Sequence, residues 1–303
     1  MLDIALLGCG GMMPLPNRYL TSLCLRTNGN MMLIDAGEGT QVTMKLLSWG
    51  FKNIEAICFT HFHADHISGL PGLLLTIGNS CRTEPLTLVG PPGLARVVQS
   101  LLVIAPELPF DIELRELEYA KGQMVQLCGM DVSVYPMLHR IKCFGYSVYL
   151  PRAGKFEPER AKTLNIPVNF WNRMQKGEHI EYEGRVYTPD MVMGETRRGL
   201  RVSYCTDSRP PDGLDEFVRG SDLFVCEGIY GENDKLAKAI EHRHMIFSEA
   251  AEIAARAGVR ELWLTHFSPA LTQPEIFLAN AADIFPNTVI GRDRMSKTLI
   301  FDE

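Results

Sequence analysis

The chain has 303 residues, 46% of them hydrophobic and 22% charged, which supplies enough apolar length for a sizeable core and excludes a disordered or fibrous class. Its 30 Lys and Arg stand against 36 Asp and Glu, and the net charge of −6 excludes a generally basic nucleic-acid coat while leaving room for a local basic patch. Eight cysteines without a C-x-x-C pair read as buried reduced thiols rather than a disulfide scaffold.

Residues 4–7 form a short apolar run stopped by Gly8, Gly10 and Gly11. Residues 22–26 and 31–35 read as strands joined by the turn Asn28-Gly29-Asn30. A helix is expected over 37–49, buried strands over 56–59 and 85–89, a helix over 93–102, and strands over 132–137 and 145–149. Residues 151–198 are rich in charge and in turn formers with little apolar periodicity, and read as an inserted arm or long loop rather than core. Core patterning resumes with strands over 200–205 and 223–226. A helix over 248–257 follows, capped by Ser248 and ended by Gly258, then strands over 261–265, 289–291 and 298–301. The expectation is an α/β fold of two mixed β-sheets flanked by helices, one domain over 1–303 carrying the 151–198 arm. No apolar run reaches the ~20 residues of a membrane span and no basic leader opens the chain, so a cytoplasmic protein without membrane contact is expected.

The chemistry concentrates in Thr60-His61-Phe62-His63-Ala64-Asp65-His66, directly after a buried strand. In extended backbone, side chains two apart share a face, so His61 and His63 can grip one ion. If a helix begins next, Asp65 and His66 point the other way, toward a second. His139, Asp207 and His266 each follow an apolar strand. Alone, each reads as a solvated loop residue or a core histidine; together they repeat one pattern, a ligand type at a strand's C-terminal end. Imidazole and carboxylate donors suit zinc, and catalytic zinc keeps a position for water. Asp35 ends a strand near a helix start, where it can cap amides or support a metal-bound histidine; support is the favoured role.

His-x-His-x-Asp-His with isolated His, Asp and His resembles the metallo-β-lactamase superfamily, whose fold is an αββα sandwich. The closer resemblance is to the ribonuclease Z family, endonucleases that remove 3′ trailers from precursor tRNA. Residues 35–41 resemble its D-x-G-E-x-T-Q stretch, 60–74 its T-H-x-H-x-D-H-x-x-G-L-P-G-L-L signature, 205–210 its G-D-T-R-P, and 264–268 its L-T-H-F-S. The resemblance spans nearly the whole chain.

It implies two Zn²⁺ per subunit, with Mn²⁺ or another divalent ion as substitutes. His61, His63 and His139 would hold the first, Asp65, His66 and His266 the second, and Asp207 would bridge them. Two metals ~3.5–4 Å apart stabilise the attacking and leaving oxygens of a phosphodiester. Asp65 would also orient the attacking water, His244 would protonate the leaving oxygen, and Glu227 would orient His244. His242 and Arg243 read as solvated. The arm matches the position of the family's exosite, which implies RNA contacts at Lys155, Arg160, Lys162, Arg173 and Lys176; a solvated charged loop is the competing reading. A homodimer, in which one subunit's arm serves its neighbour, is also implied. The chain departs from the family in three places: Val168-Asn169-Phe170-Trp171 stands where the arm usually carries Gly-Pro, His244-Met245-Ile246 replaces H-S-T, and Pro269-Ala270 replaces the segment carrying an Arg after the last histidine. The alternative function is hydrolysis of a small phosphodiester or other ester on the same fold, with the arm reused as a lid.

Overall fold

The computed structural model describes residues 1–302. It divides into two compact units, one of Met1–Leu150 with Leu200–Ile300, the other of Pro151–Gly199 with the chain end. In chain order the strands are β1 (Leu2–Gly8), β2 (Ser22–Thr27), β3 (Asn30–Ile34), β4 (Ile54–Cys58), β5 (Leu86–Gly90), β6 (Ile112–Glu116), β7 (Met124–Leu127), β8 (Met130–Pro136), β9 (Phe144–Arg152), β10 (Ile180–Tyr182), β11 (Arg185–Tyr187), β12 (Arg197–Cys205), β13 (Leu223–Glu227), β14 (Leu262–Thr265), β15 (Thr288–Ile290) and β16 (Met295–Leu299).

Two seven-stranded mixed sheets, ordered β16-β1-β2-β3-β4-β5-β6 and β15-β14-β13-β12-β9-β8-β7, make the larger unit. The β2–β3 hairpin closes through Asn28 (φ 50°) and Gly29 (φ 88°), the two positive values that a type I′ turn demands. One face of the first sheet packs Leu7, Leu33, Ile57 and Leu88 against Met44, Leu73, Ile77 and Val98 of the helices Thr40–Leu47, Leu70–Gly78 and Leu94–Leu102. Ile4, Leu6, Leu23, Leu25, Met32 and Ile34 are equally shut from solvent. Burial on both faces is why these strands read as continuous apolar runs. The two sheets meet at the end of β4, where Tyr146 Oη donates to the Phe59 carbonyl (2.7 Å) and Phe144 N–H to that of Thr60 (2.9 Å). This is the two-sheet, helix-flanked architecture expected from the sequence.

In the second sheet β12, β13, β14 and β15 run parallel, with Cys205 opposite Cys226 and Cys226 opposite Leu264. Their C-terminal ends therefore finish at one edge, where parallel sheets collect ligands. The helix Phe247–Ala257 packs on β13 and β14 and ends at Gly258 in the left-handed region. Its start corrects the expected Ser248 cap. Ile246 occupies the cap position, Glu249 turns back to accept the Ile246 N–H (3.1 Å), and Ser248 Oγ donates to Asn233 instead. β6 and β7, absent from the expected elements, lie at sheet edges and are largely solvent-accessible; charged residues interrupt the apolar signal of β6, and β7 is only four residues long.

The smaller unit corrects the long-loop expectation. It contains helices Pro158–Thr163 and Val168–Gln175 and the β10–β11 hairpin, packed on Ala161, Ile166, Met174, Ile180, Tyr187 and Val192. Each element donates one or two apolar residues, too few for any window to show a period. Trp171 Nε1 ties the second helix to the Ile166 carbonyl (2.9 Å). Among the described residues no helix is long and apolar enough to cross a membrane.

Candidate metal centre

Six strand ends of the larger unit deliver the polar cluster. β3 runs into Asp35, β4 into Thr60 and His61, β8 into His139, β12 into Asp207, and β14 into His266, while Glu227 closes β13. The short helix Ala64–Ile67 carries Asp65 and His66. Asp35 (φ 63°), Asp207 (φ 49°) and His266 (φ 59°) all adopt the left-handed conformation, which turns the chain sharply as it leaves its strand. Asp and His enter that region more readily than other non-glycine residues, but its concentration in one cluster is characteristic of functional sites.

Two donor groups result. In the first, His61 Nε2 lies 2.9 Å from His63 Nδ1, which lies 3.3 Å from His139 Nε2. Asp207 Oδ2 is 3.8 Å from His61 Nε2 and 3.9 Å from His139 Nε2. In the second, His266 Nε2 is 3.3 Å from both His66 Nε2 and Asp65 Oδ2, while Asp207 Oδ1 is 3.1 Å from each imidazole. A tetrahedral ion with bonds of about 2.0–2.1 Å holds its donors about 3.3 Å apart, so both groups have the spacing of a ligand shell. Asp207 Oδ1 is buried and accepts no hydrogen bond among the described residues, which is costly for a carboxylate unless a cation serves it. The donor set thus fits divalent metal, and Asp207 faces one oxygen to each group.

Buried supports fix these side chains. Asp35 Oδ1 accepts the Thr60 N–H (2.8 Å), and Oδ2 lies 2.8 Å from His66 Nδ1. With its proton on Nδ1, His66 turns an Nε2 lone pair toward the second group. Thr60 Oγ1 donates to Asp35 (2.8 Å) and lies 3.0 Å from His61 Nδ1, setting the same tautomer for the first. The Met12 N–H donates to Asp65 Oδ2 (2.7 Å). Glycine is required at two close approaches: a Cβ on Gly11 would meet the His266 ring at 2.6 Å, and one on Gly37 the Asp65 carbonyl at 2.4 Å. His139 Nδ1 and His266 Nδ1 have no comparable support among the described residues.

The electrostatics suit ligation. Burial pushes His61 and His63 below the ordinary histidine value and brings His139 down to about 4, so these imidazoles are neutral. Burial would raise Asp207, but His266, His66 and His61 outweigh it and hold the carboxyl ionised. Burial likewise opposes ionisation of Asp65, and the His266 contact overrides it. His66 is the exception: Asp207 and Asp35 flank its ring and raise it despite burial, so a cation would have to displace the Nε2 proton to use that lone pair.

His244 lies just outside, its ring stacked 5.7 Å from that of His266 and tilted 5.4 Å from that of His139. Its Nδ1 is 3.0 Å from Glu227 Oε2, and Glu227 Oε1 accepts the Ser208 N–H. Burial lowers the His244 pKa, but the Glu227 carboxylate more than compensates and lifts it to about 9. Arg209 donates to the His244 carbonyl (2.6 Å) and pairs with Glu249, bracing this loop against Asp207's.

The larger unit therefore gathers His61, His63, Asp65, His66, His139, Asp207, Glu227, His244 and His266. The arm cations lie in the smaller unit, where Arg160 pairs with Glu157, Lys162 with Glu159 and Arg173 with Glu178, and Lys155 and Lys176 are exposed. A cavity of about 470 Å³ opens over the metal centre, and its wall holds His242 and four residues the sequence reading passed over: Met12, Tyr230, Arg140 and Lys238. The solvated reading is corrected for His242, while Arg243 is exposed as expected. His242 is half-buried beside Arg140, and Arg243 Nη1 donates to the His139 carbonyl (2.6 Å). The legible signal was spacing: Lys238 and His242 stand one helical turn apart, four residues upstream and two upstream of features already singled out.

A family model described as "Anti-Pycsar protein Apyc1" matches residues 2–153, half of the chain, and places that half in its family. Ribonuclease Z of Agathobacter rectalis is 54% identical over 303 residues, covering 100% of both chains. Among solved structures, human tRNase Z, short form, superposes with a TM-score of 0.71 at 23% identity, over 99% of this chain and 100% of that one. The metallo-β-lactamase fold protein YhfI from Bacillus subtilis does so with a TM-score of 0.70 at 18% identity, over 98% and 100%. With full-length identity above half and every donor of the two clusters in place, this chain belongs to the ribonuclease Z family and has the metallo-β-lactamase fold.

Proposed function

We propose that the chain is an endoribonuclease that removes 3′ trailers from precursor tRNA, using two zinc ions per subunit. His61, His63 and His139 would hold one ion, Asp65, His66 and His266 the other, and Asp207 would serve both. The observation that carries this reading is the division of Asp207 between two histidine groups, Oδ2 toward one and Oδ1 toward the other. Bound cations there supply charge stabilisation to the attacking and leaving oxygens of a phosphodiester and favour ionisation of water. Asp65, accepting from the Met12 backbone, keeps one oxygen fixed to orient the attacking water. His244, charged through Glu227, has Nε2 free to protonate the leaving oxygen. Lys155, Arg160, Lys162, Arg173 and Lys176 contact RNA phosphates from the arm, which serves the neighbouring subunit of a homodimer. The protein works in the cytoplasm.

The test is incubation of the pure protein, with zinc or manganese, on labelled precursor tRNA and, in parallel, a chromogenic phosphodiester. Cleavage after the discriminator base supports the reading. Turnover of the small ester with RNA left intact favours a small-phosphodiester hydrolase instead.

A further inference from the structure

The cavity over the metal centre has one cationic wall that neither the metal ligands nor the proton donor uses. Arg140 directly follows His139, is exposed, and points Nη2 to 3.1 Å from His242 Nδ1 and 3.4 Å from the Glu241 carbonyl. Lys238 and His242 project from the same face of the helix Leu236–His242. The Lys238 ammonium lies 5.2 Å from the centre of the Tyr230 ring, which also lines the cavity. Among the described residues neither Arg140 nor Lys238 pairs with a carboxylate, unlike most arm cations. Because the guanidinium donates to His242 Nδ1, the neutral His242 ring must carry its proton on Nε2 and present a further donor. Three donors gather on this wall beside His244, with the Glu241 carbonyl that Arg140 already contacts as the acceptor named among them, and they describe a receptor for an anion.

Resting on the phosphodiester reading above, we propose that Arg140, Lys238 and His242 form a phosphate subsite that binds the phosphate next to the scissile one, on the leaving-oxygen side. The side follows from His244, which shares this wall and faces the leaving oxygen.

The test uses the metal-loaded full chain and the double variant Arg140→Gln/Lys238→Gln. Binding of a labelled single-stranded RNA octamer is followed by fluorescence anisotropy over a range of salt, and turnover of a chromogenic diester with a single phosphate is followed alongside. Loss of the two cations that hold this one phosphate lowers the salt slope by about 0.7 and weakens octamer binding on the order of tenfold. The loss on RNA should exceed that on the single-phosphate ester at least tenfold, with metal content at the wild-type level. An unchanged salt slope, or equal losses on the two substrates, overturns the subsite. Octamer binding is measured without cleavage, so failure of the wild type to process precursor tRNA would strike the proposed function and leave this comparison standing.

Discussion

Asp35 Oδ2 lies 2.8 Å from His66 Nδ1, with both side chains wholly shut from solvent. The carboxylate has no other exit: its second oxygen is held by Thr60, and its own backbone N–H is bound to the Cys58 carbonyl (2.7 Å). Asp35 thus acts on the metal centre through His66. Removing one charge while keeping the shape, as in Asp35→Asn, should weaken metal retention by roughly 10–100-fold, the usual cost of losing such a support. Chelator competition followed by elemental analysis measures it. Wild-type retention in the variant would mean that His66 needs no partner to hold its tautomer.

Asp207 makes a sharper claim, because one side chain serves both donor groups. Asp207→Ala should reduce the bound metal of both groups, whereas His63→Ala should strip chiefly the group containing His61 and His139. Elemental analysis at several metal concentrations separates the two patterns. Full occupancy of both groups in Asp207→Ala would remove the bridge from the account.

Much of this was legible because the ligand types sit at the ends of strands whose apolar runs are unmistakable. Two buried faces made β1, β4, β12, β13 and β14 continuous in sequence, and the residue types after them named the chemistry. The cationic wall was not legible in the same way: Arg140, Lys238 and Tyr230 come from separate elements and converge only in the fold. The arm's internal packing was hidden because its core is spread thinly over four short elements. The cap of helix Phe247–Ala257 was misplaced for a further reason. The Ser nearest the start is drawn to Asn233, and the job passes to Glu249, which also anchors Arg209.

His244 offers a test of catalysis separable from metal binding. His244→Ala should leave both donor groups filled and slow cleavage by on the order of 10²–10⁴, the range for a lost general acid. Elemental analysis and single-turnover rates on precursor tRNA are the two measurements. A normal rate would dismiss His244 from the mechanism, and loss of metal would reassign it as a ligand, a role its neighbourhood with Asp207 and His266 makes worth excluding.

Glu227 sets the pH at which that acid works. Its carboxylate overcomes burial and raises His244 to about 9, so the imidazole carries its proton below that pH and loses it above. Activity that depends on the protonated form is therefore present on the acid side and falls as pH rises through the His244 pKa. Cations bound beside the ring pull that limb downward in wild type and variant alike, which makes the difference between them the informative quantity. Glu227→Gln keeps an oxygen near Nδ1 but removes the charge, leaving only the weaker effects of Asp207 and Asp65 to oppose desolvation. The alkaline limb of kcat should then move to lower pH by at least one unit, with kcat at the optimum reduced and KM for precursor tRNA little altered. An alkaline limb fixed at its wild-type position would show that Glu227 only braces the Ser208 backbone, to which its other oxygen is bound.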